Sequence, residues 1–90
     1  MQMKMRYDRN ANKKDLKYSV IYTSKIEGWE LLSRHTNIKD AGDEYAYPDK
    51  EDIVNVSTMA LENTYTGLHI SKKKLEWDAD GKELLGFSQL

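Results

Sequence analysis

Residues 50–62 read KEDIVNVSTMALE, and the fold class depends on whether they form a helix or a strand. Asp49 fits a helix N-cap, because its carboxylate can accept hydrogen bonds from the free backbone N–H groups of a first turn. Acidic residues follow it where the helix dipole favours anions, and apolar residues then recur at helical spacing. The β-branched run IVNVST is instead typical of a strand at 53–58. We expect the helix, and the strand remains the alternative.

The N-terminal part of the chain alternates between apolar and polar residues, which is the pattern of half-buried strands. Residues 1–8 and 16–23 both show it, and the turn-forming segment RNANKKD separates them. We therefore expect a hairpin with a loop at 9–14.

Residues 24–36 allow two interpretations. Ser24 and Glu27 have the spacing of a capping box, which would start a helix. Gly28 is unfavourable inside a helix and suits a turn that leads into a third strand. We expect the strand.

The C-terminal part contains a second turn signal, in the stretch EWDADGKELLGF at 76–87. Asp80 and Gly81 both tolerate positive φ and predict a hairpin. A calcium loop would need a bidentate carboxylate where Phe87 stands, so we expect no metal site. The extended stretch before this turn contains the basic cluster SKKK at 71–74, which we interpret as a solvated turn or edge.

These elements predict one domain over residues 1–90 with an α+β fold: an antiparallel sheet of about five strands and one covering helix. A small all-β barrel is the alternative if residues 50–62 are extended. The chain has no cysteine to form a disulfide or a thiolate metal site, and no apolar run long enough to span a bilayer. With no signal-peptide pattern at its start, we expect a cytoplasmic protein.

Motifs for catalysis are absent from the sequence. The two histidines, His35 and His69, stand far apart without metal-binding spacing, and the five glycines form no phosphate-binding loop. We expect a protein that is not an enzyme and uses no cofactor.

Charge is unevenly distributed, although the net charge is only −1. Residues 40–52 carry six acidic residues against one basic residue. Tyrosine is common at the centre of protein interfaces, and carboxylates around it can steer a basic partner. We therefore expect a protein-binding loop here, against the simpler interpretation of a solvated loop whose tyrosines anchor it to the core. Its candidate residues are Asp43, Glu44, Tyr45, Tyr47 and Asp49.

Residues 1–17 carry the opposite charge, with six basic residues against two acidic ones. They offer an alternative function, nucleic-acid binding by the N-terminal hairpin, unless these side chains only solubilise an edge strand. Self-association through an edge strand is a separate possibility, and it would give a homodimer. The nucleic-acid candidates are Lys4, Arg6, Arg9, Lys13 and Lys14.

In overall composition the chain resembles the small, Lys-, Asn- and Tyr-rich accessory proteins of phages and mobile elements in low-GC bacteria. The resemblance covers the whole chain, rests on no motif and transfers no functional residue. It implies a protein that inhibits a host nucleic-acid-processing or defence enzyme by direct contact.

Overall fold

The computed structural model of the protein describes residues 15–24 and 30–90, together with the backbone of residues 3–7. The predicted α+β fold is confirmed: one helix packs on one antiparallel sheet, which gains an additional parallel strand at one end. The sheet formed by these residues is open, so the alternative of a closed barrel is wrong. The elements are β1 (Met3–Tyr7), β2 (Tyr18–Ser24), β3 (Glu30–His35), α1 (Ile38–Ala46), β4 (Val56–Asn63), β5 (His69–Trp77) and β6 (Leu84–Gln89).

The strand order across the sheet is β1-β3-β2-β4-β5-β6. The predicted hairpin between the first two strands is wrong, because β3 lies between them and pairs with β1 in parallel. Alternation in a sequence identifies a strand but not its neighbour, and the shorter connection from β2 to β3 favours that pair. The loop predicted at 9–14 and the turn predicted near Gly28 lie outside the described residues.

The helix predicted at 50–62 is also wrong. Most of that stretch belongs to β4, which begins at Val56. Asn55, just before it, has a φ of 66°, a left-handed conformation that Asn tolerates and that would interrupt an α-helix. The β-branched residues therefore follow their strand preference. The helix instead occupies residues 38–46, which the sequence analysis interpreted as a loop.

The core lies between α1 and one face of the sheet. Val20 and Tyr22 of β2, Met59 of β4 and Leu75 of β5 are buried in it, and Tyr45 of α1 packs against them. Burying a large apolar side chain contributes roughly 1.5–3 kcal/mol, so this layer is the main source of folding free energy.

The hairpin predicted at Asp80-Gly81 is confirmed. It joins β5 to β6, and Gly81 adopts a φ of 70°, whereas Asp80 does not need a positive φ. The Asp78 carboxylate accepts a hydrogen bond from the backbone N–H of Lys82, with 2.8 Å between Oδ1 and N. This hydrogen bond is the main cause of a lowered pKa for Asp78, so the carboxylate serves the turn.

Candidate functional site

The segment predicted as an acidic loop forms helix α1 and the turn after it. Asn37 is the N-cap, and its side-chain oxygen accepts the backbone N–H of Asp40 at 2.8 Å. The helix ends at Ala46 with Tyr47 as its C-cap, because Pro48 disfavours helical geometry in the residue before it. The helix was predicted after Pro48, so this cap was not predicted.

The inner side of α1 carries Ala41 and Tyr45, four residues apart and both buried. Tyr45 is 8% exposed, and its hydroxyl lies 3.0 Å from Ser71 Oγ on β5. This tyrosine therefore anchors the helix to the sheet.

Glu44 also lies on the side of α1 that faces the sheet. Its Oε2 accepts a hydrogen bond from the Tyr22 hydroxyl at 2.6 Å, and its Oε1 accepts one from the Ser33 hydroxyl at 2.8 Å. His35 Nε2 lies 3.1 Å from the same Oε1. These bonds satisfy a half-buried carboxylate and connect α1 to β2 and β3.

Ser33, His35 and Glu44 are the residue types of a catalytic triad, but their geometry differs from one. In a triad the carboxylate holds Nδ1 of the histidine while Nε2 takes the proton of the serine. Here Nε2 faces both partners, at 3.2 Å from Ser33 Oγ and 3.1 Å from Glu44 Oε1. Ser33 is moreover buried and donates its proton to Glu44, so the histidine does not activate it.

The outer side of α1 and the turn that follows carry exposed carboxylates around an exposed ring. Tyr47 is 83% exposed. Asp43 lies one helical turn before it and pairs with Lys39 Nζ at 3.0 Å, which raises the pKa of Lys39. We call this region the acidic surface and define it by Asp40, Asp43, Tyr47, Asp49 and Glu51, all of which are exposed.

The structure thus divides the five residues predicted to bind a partner. Asp43, Tyr47 and Asp49 are exposed on the acidic surface, whereas Glu44 and Tyr45 face the sheet. Within α1 the helical repeat explains the division, because Glu44 and Tyr45 lie three and four residues after the buried Ala41 and share its side, whereas Asp43 does not.

Lys73 is a polar residue that the sequence analysis did not single out. The cluster SKKK lies in the middle of β5, and Lys73 in its centre is buried. Its ammonium donates a hydrogen bond to the backbone oxygen of Tyr45 in the last turn of α1, where the helix dipole favours a cation. It also lies 4.2 Å from the ring centroid of Tyr45 and 3.8 Å from that of Phe87. Burial lowers the pKa of Lys73.

The basic residues of the alternative function are described only in part. Lys4 and Arg6 lie in β1, in register with Leu31 and Ser33 of β3. Arg9, Lys13 and Lys14 lie outside the described residues. Nucleic-acid binding by the N-terminal segment stays a prediction.

A shallow depression of about 440 Å³ lies between the β5–β6 turn and the connection from α1 to β4. Trp77 forms part of its wall and donates its indole N–H to the Val56 carbonyl at 2.9 Å. The charged residues in its lining are Lys50, Lys82 and Glu83. In the described part of the chain, no three His, Asp or Glu side chains are grouped so that they could hold a metal ion.

Comparisons of the chain with protein-family models, with curated proteins and with solved structures found no match. Within the described ranges, no helix combines the length and the apolar character needed to cross a membrane.

Proposed function

We propose that this chain is a non-enzymatic protein-binding module that contacts its partner through the acidic surface. The observation that carries the proposal is the 83% exposure of Tyr47 among exposed carboxylates. A tyrosine in this setting can bury a large, rigid ring at an interface and keep its hydroxyl available for a hydrogen bond. The fold supports this use, because Tyr45 and Glu44 fix α1 to the sheet and leave Tyr47 outside.

The partner best suited to this surface is a protein with a basic groove. Exposed Asp40, Asp43, Asp49 and Glu51 would steer such a groove toward the ring. Enzymes that bind nucleic acids have basic grooves of this kind, because they must neutralise phosphates. We therefore propose inhibition of a nucleic-acid-processing enzyme, by occupation of its groove, as the form that the activity takes.

Affinity capture from the source cells tests the proposal, with half of each sample treated with nuclease. The baits are the wild-type chain, a double variant Asp43→Lys with Asp49→Lys, and Tyr47→Ala. We expect the wild type to capture a basic protein with or without nuclease, and both variants to lose it. With the purified partner, the double variant should slow association by about tenfold at low salt and show a weaker salt dependence.

The matched control is the double variant Asp15→Lys with Glu76→Lys, which makes the same change in net charge elsewhere. Both residues are exposed; Asp15 precedes β2, and Glu76 follows the buried Leu75 on β5 and so lies on the opposite face of the sheet. The control should bind as the wild type does. A partner that binds all variants equally would refute the acidic surface as the contact, and a partner lost on nuclease treatment would favour the nucleic-acid alternative.

A further inference from the structure

One end of the sheet presents a strand with unpaired backbone groups. Among the described strands, β6 pairs only with β5. The backbone N–H of Leu90 donates to the Lys72 carbonyl of β5 at 3.1 Å. Alternate residues of an antiparallel strand direct their N–H and C=O groups to the same side. The corresponding groups of Phe87 and Gln89 therefore point to the free edge.

This edge lacks the sequence features that most often protect an edge strand, although a β-bulge at Leu85 interrupts its pairing with β5. Natural edge strands are commonly interrupted by proline or by charged side chains, lysine above all. β6 contains neither, since it reads LLGFSQ. Leu84 packs against the core, but Leu85 is 68% exposed, Phe87 is 40% exposed, and Leu90 just after the strand is 66% exposed. At the other end of the sheet, β1 includes Lys4 and Arg6.

We propose that β6 pairs antiparallel with β6 of a second copy of this chain, about a two-fold axis between the two Phe87 residues. In this register Phe87 faces its own copy, and Leu85 faces Gln89. The outward groups of the two Phe87 residues then meet, those of Gln89 lie opposite the bulge residue Leu85 of the other copy, and two six-stranded sheets become continuous. The two Phe87 side chains would lie side by side, in an aromatic cross-strand pair.

Charge and symmetry favour a second copy as the occupant. The strand has no charge to repel its own copy, and the chain as a whole carries only −1. A two-fold contact between identical edges closes after two chains, whereas pairing of β6 with β1 would be head to tail and could continue into a fibre. One strand edge buries less than the roughly 1,600 Å² of a standard stable interface, so we expect a dissociation constant in the micromolar range.

Sedimentation velocity over a concentration series tests the pairing with a proline variant. Gln89→Pro removes an N–H that points outward and an exposed side-chain hydrogen bond from Ser71, but it leaves the backbone hydrogen bonds to β5 in place, so the fold should persist. Circular dichroism verifies the fold of each sample. We expect a concentration-dependent dimer for the wild type, and a dissociation constant at least about tenfold higher for Gln89→Pro. A wild type that stays monomeric at millimolar concentration overturns the proposal, and so does a dimer that the folded Gln89→Pro variant retains.

Disulfide formation tests the register, since the chain has no cysteine of its own. Phe87→Cys places two thiols opposite each other at about 5.5 Å between Cα atoms, a distance that a disulfide spans. Ser88→Cys is the control, because residue 88 faces Gly86 of the second copy and not its own equivalent. We expect oxidation to link the Phe87→Cys variant at low concentration and to leave the Ser88→Cys variant mostly unlinked. The reverse pattern, or equal linking of both, overturns the register.

Discussion

Lys73 combines two opposing effects on stability. Its ammonium is held by the Tyr45 carbonyl and by the faces of two aromatic rings, which favour the charged form. Lys73 is only 4% exposed, and the removal of water from its ammonium group disfavours the charged form. Desolvation by burial lowers the pKa of Lys73 from its ordinary value.

The lowered pKa of Lys73 makes the stability of the fold depend on pH in the alkaline range. The ammonium of the unfolded chain titrates near 10.5, whereas that of the folded chain loses its proton at a lower pH. Between these two values the unfolded chain binds more protons, so the free energy of unfolding rises with pH. We expect the wild type to gain stability relative to Lys73→Met as the pH is raised through the alkaline range toward 10.5.

Urea denaturation of both proteins at each pH measures this difference. Lys72→Met is the control, since Lys72 is exposed on the other face of β5 and should follow the wild type. A constant difference between wild type and Lys73→Met across the range would contradict a depressed pKa in the folded state.

The orientation of single side chains was the feature least predictable from the sequence. Asp43, Tyr47 and Asp49 are exposed as a partner site requires, but Glu44 and Tyr45 are not available on the same surface. Composition marks the segment as acidic and aromatic, but only the helical repeat of α1 decides which side chains face outward. Lys73 was not predicted to be buried because lysine is rarely buried. The signal for its burial is that Leu75 and Trp77, at alternate positions of β5, lie on the same face of the strand.

The two glycines at 42 and 81 provide an internal test of the assigned elements. Gly42 lies inside α1 and Gly81 lies in the β5–β6 turn with a φ of 70°, and a Cβ at either position would meet no atom within 4 Å. Gly42→Ala should stabilise the protein by about 1 kcal/mol through helix propensity. Gly81→Ala should destabilise it by about 1 kcal/mol, because alanine disfavours the left-handed conformation.

Urea midpoints of the two alanine variants measure both effects, and each variant serves as the control for the other. If residues 38–46 were a loop, as their composition suggested, Gly42→Ala would not bring the helical gain. A stabilised Gly81→Ala variant would mean that the turn does not need a left-handed residue at this position.

Elements were predicted well where local chemistry decides the outcome. The turn at Gly81, the alternation in β2 and the third strand at β3 follow from side-chain period and turn propensity. The segment around Val56 was assigned to a helix because Asp49 and the acids after it resemble a first turn, whereas burial against the core selects the strand. Pairing of β1 with β3 depends on contacts distant in sequence, which no local pattern contains.

The two proposed contacts use different parts of the molecule. Helix α1 lies mainly over β2, β3 and β4 and its last turn reaches β5 through Tyr45, whereas the proposed dimer contact is the outer edge of β6. A dimer formed through that edge would carry two acidic surfaces. Such a dimer would bind a partner that has two matching sites more tightly than a single chain would, because the second contact forms within the same complex.

Dimerisation at β6 also couples the stability of the whole molecule to its concentration. A contact made only by the folded chain adds to folding stability by mass action. Above the dissociation constant of the dimer, each tenfold increase in chain concentration raises the free energy of unfolding of the dimer by about 1.4 kcal/mol. Since the dimer contains two chains, this is about 0.7 kcal/mol per chain. For a domain of this size the Tm should rise by about 3–5 °C per tenfold step. Calorimetric scans that prove reversible on reheating measure the Tm, with Gln89→Pro as the control whose Tm should begin to rise only at concentrations at least about tenfold higher. A wild-type Tm that does not change with concentration would contradict a dimer linked to folding.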